Sequence, residues 1–123
     1  MIFTIDFNSN EAIYMQLYNQ IILCIANDQI KEGDSLPSVR QMADTIGINM
    51  HTVNKAYTQL RQDGYIKLDR RHGAIISLDV DKLEAVNTLS DELRVSIARA
   101  MCKNVSPEEI HAIVDDVIKE FGV

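Results

Sequence analysis

A chain of 123 residues with a hydrophobic share of 46% suits one small domain plus an appendage, and it holds no apolar run of the roughly 20 residues that a membrane helix needs. No charged-then-apolar leader opens it, so the expected compartment is the cytoplasm, with no membrane partner. The net charge of −6 argues against nucleic acid until its distribution is read: residues 36–73 hold six basic and three acidic residues, hence +3, which leaves −9 for the rest. A local basic footprint matters more for phosphate contact than the total.

Ile2, Phe3, Thr4 and Ile5 alternate weakly and read as a short strand or an ordered arm. Cap-type residues at 8–10 precede a helix expected from about residue 11 to 27. Its apolar residues form two stripes: Ile13, Leu17, Ile21 and Cys24, and Tyr14, Tyr18, Ile22 and Ile25. One stripe would cover a small core. The second implies either a further surface packed on this helix, from the C-terminal segment or another subunit, or a helix lying deep in its own domain. Residues 31–35 read as a turn, and Pro37 fixes the approach to the next helix.

Two short helices follow. Ser38 with Gln41 three residues on forms a capping box for the first, whose buried stripe is Val39, Met42, Ala43 and Ile46. Gly47 stops it, and Asn49 caps the second, which is expected to run to about Asp63 before Gly64. Val53, Ala56, Tyr57 and Leu60 face inward, whereas His51, Asn54, Lys55 and Thr58 face outward with Met50 at the border. Two helices joined by a tight glycine turn make a helix-turn-helix, whose second helix enters the DNA major groove. Strands at 65–69 and 74–78 then flank a basic tip of Arg70, Arg71, His72 and Gly73, which is the pattern of a wing.

An acidic connector at 79–81 leads to a helix expected over 82–103, with Leu83, Val86, Leu89, Leu93, Ile97, Ala100 and Met101 at spacings of three and four. Ser106, Pro107 and Glu109 start a last helix by capping box, with a buried stripe of Ile110, Ile113, Val114, Val117, Ile118 and Phe121 and a stop at Gly122. The expected fold is mainly α with a small β-wing: a winged helix-turn-helix over 1–78 and a two-helix dimerisation hairpin over 79–123. Cys24 and Cys102 lie in helical apolar patterns without metal-like spacing and are expected to be buried thiols. His111 and Asp115, four apart, would give only two metal ligands, an incomplete site. No phosphate loop, nucleophile constellation or cofactor motif stands out, so neither an enzyme nor a cofactor is expected.

These residues resemble the GntR family of bacterial transcription regulators. The resemblance is carried by Leu36-Pro37-Ser38-Val39-Arg40, Met42-Ala43, Thr52-Val53-Asn54-Lys55-Ala56-Tyr57, Leu60 and Gly64-Tyr65-Ile66. Upstream, Ala12-Ile13-Tyr14-Met15-Gln16-Leu17 and Gly33-Asp34 are similar to further family elements. The short tail is similar to the YtrA-type branch. The chain departs from the pattern at Asp28, where glycine is usual, at Met50, where many relatives carry Arg, and in a wing with Gly73 alone where two glycines are common.

The resemblance and the outward faces together give the expected DNA-contacting set: Ser38, Arg40, Asn49, Met50, His51, Thr52, Asn54, Lys55, Arg71, His72 and Gly73. Arg40, Thr52 and Lys55 are expected on phosphates, His51 and Asn54 on base edges, and His72 in the minor groove. Met50 either touches a thymine methyl or only extends the apolar edge of its helix. The expected function is a sequence-specific regulator, a repressor acting as a homodimer on a double-stranded operator with two half-sites. The competing class is a winged-helix module that binds protein instead of DNA. The small tail offers no evident pocket, though a small-molecule effector could bind at a subunit interface.

Overall fold

The computed structural model describes residues 3–123; Ile2, the first residue of the arm read from the sequence, lies outside the described residues. The order is α1 (Ile13–Ala26), α2 (Val39–Ile46), α3 (Met50–Gln62), β1 (Ile66–Asp69), β2 (Gly73–Ile76), α4 (Lys82–Cys102) and α5 (Pro107–Lys119). The chain divides into two compact units, one ending at Asp79 and the other Val80–Val123.

In the first unit the core is built on α1 and α3, where Leu17, Ile21, Val53, Ala56 and Leu60 have no exposed surface. Each buried leucine or isoleucine is worth roughly 1.5–3 kcal/mol relative to exposure. The second stripe of α1 (Tyr14, Tyr18, Ile22 and Ile25) packs against this same core. The width of that apolar surface is thus used within the unit itself.

α1 starts two residues later than expected, and its N-cap, Ala12, offers no side-chain cap. The polar residues upstream shape the approaching loop instead: the Asp6 carboxylate accepts from Asn8 N at 2.9 Å and Ser9 Oγ from Glu11 N at 3.0 Å. The arm forms no strand over residues 3–5. Two glutamines one turn apart on α1 hold its backbone. Gln20 accepts from Thr4 N at 2.9 Å and donates to Thr4 O at 2.6 Å. Gln16 accepts from Asp6 N at 2.8 Å and donates to the carbonyls of Asp6 and Glu11, both at 3.0 Å. That exchange satisfies the amide of Gln16, a residue only 7% exposed. After α1, Asp28 takes φ +60° and makes the left-handed turn without glycine, as a short polar side chain can.

The capping box on α2 is formed: Ser38 Oγ accepts from Gln41 N, and Gln41 Oε1 accepts from Ser38 N, both at 3.1 Å. Gly47, at φ +80°, donates its N–H to Ala43 O and turns the chain. Asn49 then caps α3 by accepting from His51 N at 2.7 Å. Tyr57 Oη donates to Pro37 O at 2.7 Å, which ties α3 to the start of α2, and its burial pushes the phenol well above its ordinary range.

The hairpin pairs Ile66 with Ile76 and Asp69 with Gly73 in antiparallel register. The turn before α2 lies along the other edge of β2: Gly33 N donates to Ile76 O, Ile76 N to Asp34 O and Leu36 N to Ala74 O, each at 2.8 Å. Beyond β2 the chain stays docked, with Ser77 N donating to Tyr65 O at 3.0 Å and Asp79 N to Gly64 O at 2.8 Å. Gly64 sits at φ +83°, and a Cβ there would stand 2.9 Å from the Asp79 Cβ. These bonds place Asp79 with the winged helix and not with the tail.

In the second unit, Asp81 caps α4 by accepting from Glu84 N, and Ser106 with Glu109 forms the capping box of α5. The Ser106 N–H and hydroxyl hold the Glu109 carboxyl below its ordinary range. Asn104, at φ +66°, turns the chain between the helices. The sequence reading describes a buried stripe on the last helix, and here the structure differs: α5 has no buried residue, and neither has α4, whose apolar residues were read as a dimer face. Leu83, Leu89, Ile113 and Ile118 are 72, 56, 56 and 47% exposed. On these faces Ile97, Ala100, Ile110 and Phe121 are half-buried, and α5 ends at Lys119, before Gly122. Cys102, expected to be buried, is likewise exposed, whereas Cys24 is buried and its thiol is pushed up by burial. Among the described residues no helix is long and apolar enough to cross a membrane, and no three metal-ligating side chains are grouped.

Candidate nucleic-acid interface

α3 is oriented by its buried side. With Val53, Ala56, Tyr57 and Leu60 fixed in the core, helical geometry turns His51, Asn54 and Lys55 outward, and all three are exposed. Thr52 and Thr58 are half-buried at the flanks, and Met50 is 44% exposed. The first turn of α3 holds no acidic residue to repel a phosphate. Asn49 is committed to its cap through Oδ1, which leaves its amide N–H groups to donate. Ser38 similarly spends a lone pair on Gln41 N and keeps its hydroxyl proton. Arg40 is exposed on α2, and the pairing with Asp44 that its spacing allows is not formed. Among the described residues Asp91 and Arg94 form an ion pair at 3.0 Å, and Asp69 lies 3.3 Å from His72 Nδ1, an ion pair only with the imidazole protonated.

Lys55 has a partner that the sequence did not reveal. Its Nζ lies 4.1 Å from the centroid of the Tyr14 ring on α1, a cation–π contact. Four residues later on α1, Tyr18 Oη donates to the Asp63 carboxylate at 2.6 Å.

The wing tip is a three-residue loop, Arg70 to His72, closed by Gly73 at φ +72° as the first residue of β2. One glycine is enough because Asp69 gathers the loop. Its Oδ1 accepts from Arg71 N at 2.7 Å and His72 N at 3.2 Å, and lies 3.3 Å from His72 Nδ1. Asp69 was missed as part of the tip; the signal is an Asp at the opening of a turn, where its carboxylate can take amides two and three residues on. Arg70, Arg71 and His72 are left exposed around it.

The Arg71 N–H, followed by the His72 contacts, holds the Asp69 carboxyl below the usual range. A depressed folded value means that the carboxylate's contribution is present above the unfolded value and is lost only as pH falls through the lower, folded one. The tip is therefore expected to stay closed through about pH 4, the usual carboxylate range, and to open below it. The amide shifts of Arg71 and His72 followed by NMR against pH check this; a transition at or above the usual value would contradict it.

A polar, cationic helix face, set by a glycine turn against a capped partner helix and followed by a basic hairpin, defines a winged-helix DNA-binding transcriptional regulator. The family model for bacterial regulatory proteins of the gntR family matches residues 13–76, and the chain belongs to that family. It is 33% identical to the HTH-type transcriptional repressor YtrA of Bacillus subtilis strain 168 over 116 residues, 92% of this chain and 89% of that protein. Among solved structures, a transcriptional antiterminator from Listeria monocytogenes EGD-e matches with a TM-score of 0.89 at 29% identity, covering 98% of this chain and 92% of that one. YtrA from Sulfolobus acidocaldarius, a GntR-family transcription factor, matches with a TM-score of 0.60 at 38% identity, covering 98 and 99%. These likenesses put the chain in the YtrA-like branch.

Proposed function

We propose that this chain is a cytoplasmic repressor that acts as a homodimer on an operator of two inverted half-sites, and that it is not an enzyme. The observation that carries the reading is the exposed face of α3, where His51, Asn54 and Lys55 stand together with no acidic neighbour in the first turn. In this reading α3 lies in the major groove with His51 and Asn54 on base edges and Met50 beside them. Ser38, Arg40, Asn49, Thr52 and Lys55 hold phosphates, and Arg71, His72 and Gly73 bring the wing to the minor groove. The repressor and dimer assignments draw support from the relative named as a repressor and from the uncovered apolar faces of α4 and α5. An effector, if one acts, binds where two subunits meet.

Selection of duplexes from a random library, followed by gel shift, tests the reading. An enriched inverted repeat is the expected result. A protein that enriches no duplex would be a protein-interaction module instead.

Arg40→Ala is expected to fold normally and to weaken all duplexes alike by about 1–3 kcal/mol, since a phosphate contact carries no base information. His51→Ala and Asn54→Ala are expected to cost about 1–3 kcal/mol at particular base pairs and little elsewhere. Affinities for a panel of single-base operator variants separate the two patterns; a uniform loss for Asn54→Ala would move that residue to the phosphate class.

A further inference from the structure

Tyr14 belongs to the second apolar stripe of α1, and its ring is only half-buried. What lies over the ring is the Lys55 ammonium, 4.1 Å from the centroid. Resting on the proposed DNA contact of Lys55, we propose that Tyr14 is a positioning residue for DNA binding: its ring orders the Lys55 cation at the edge of the reading face before DNA arrives.

The choice of an aromatic partner has a physical reason. A lysine left free must give up several rotatable bonds when it meets a phosphate. A carboxylate beside it would order the side chain but cancel the charge that the phosphate needs. A tyrosine face attracts the ammonium through its quadrupole and leaves the net charge in place. Lys55 indeed takes part in neither of the ion pairs among the described residues. The platform is itself anchored. Tyr18, one turn along α1, donates to Asp63 at 2.6 Å, and Gln59 on α3 donates to the same carboxylate at 3.1 Å. The α1–α3 flank that carries the ring is thereby tied at its other end as well.

The test uses the full chain and the duplex obtained by selection. Binding is followed by fluorescence anisotropy over a series of salt concentrations for wild type, Tyr14→Phe, Tyr14→Leu, Lys55→Ala and the Leu/Ala double variant. Tyr14→Leu is expected to weaken binding about twofold to tenfold, the cost of ordering one long side chain, with the salt slope unchanged because the charge remains. Tyr14→Phe keeps a ring and should bind like wild type. Lys55→Ala should reduce the salt slope by about 1. In the Lys55→Ala background, Tyr14→Leu should cost nothing further. Should it cost the same factor in both backgrounds, the tyrosine acts through packing and the inference fails. An unchanged slope for Lys55→Ala would fail it too, while wild-type binding to the selected duplex would leave the DNA-binding reading standing. A second measurement needs no substitution: in free wild-type protein the Lys55 ε-methylene protons should be shifted upfield by the ring current, and ordinary shifts would overturn the proposal.

Discussion

Cutting the chain after Asp79 is expected to leave a folded winged helix that binds one half-site, no longer self-associates, and has lost roughly 10²- to 10⁴-fold in affinity for the complete operator. All the residues of the buried core lie before that point, and the last backbone bond that closes the first unit is the one from Asp79 N to Gly64 O. What is removed holds no fully buried residue, yet it carries Leu83, Val86, Leu89 and Leu93 at helical spacing, exposed by 72, 52, 56 and 37%. Open apolar faces of this extent call for a second surface. In the proposed dimer two reading heads joined through them would bind in sequence, the second at an effective concentration of order millimolar, and that linkage is what the cut would abolish. Sedimentation of the long and short chains, alone and with a palindromic duplex, decides the matter. A long chain that stays monomeric in both conditions would defeat the dimer reading. A short chain that remains dimeric at full affinity would move the interface to the winged helix.

Leu60→Ala should destabilise the first unit by about 2–5 kcal/mol, the range for removing a leucine from a closed core. Leu60 has no exposed surface and shares its cluster with Leu17, Ile21 and Val53. In a unit of this size each kcal/mol lowers the melting temperature by about 4–8 °C, so thermal circular dichroism of the short chain follows the variant. Leu89→Ala makes the contrast. Its side chain is 56% exposed, so the melting of the first unit should not move, while the concentration at which the full chain self-associates should rise. Equal losses of melting temperature for the two variants would mean that Leu89 is part of the folded core.

The features that the sequence made legible are local ones. Capping boxes at Ser38 and Ser106, the Asn49 cap and the glycine stop at Gly47 lie within a few residues of the groups they satisfy, so spacing alone identifies them. The inward set of α3 was legible for the same reason, because positions three and four apart share a face. Contacts between distant residues were not. Nothing in the spacing tells that Gln16 and Gln20 hold the backbone of the N-terminal arm, or that the turn at 33–36 runs along β2. The contact of Tyr14 with Lys55 spans two helices, and Tyr14 in sequence is one more member of an apolar stripe. Periodicity also shows that a face is apolar without showing what covers it. That is why the stripe of α5 read as buried and stands open in the single chain, and why Cys102 read as a core thiol.

The sharp end of the first unit has a consequence for how such regulators diversify. Ser77 and Asp79 are still bonded to the loop after α3, and Val80, one residue on, is 91% exposed. A head that is complete at residue 79 is an interchangeable part. Joined there to an unrelated dimerising segment, it would carry its base preference along, while the spacing of half-sites it accepts would be rewritten by the new partner. For the proposed dimer, sequence preference and spacing would then be separable, by exchange of everything beyond Asp79. The position that such exchange must leave alone is Gly64, because the space of its missing side chain is the space that Asp79 occupies.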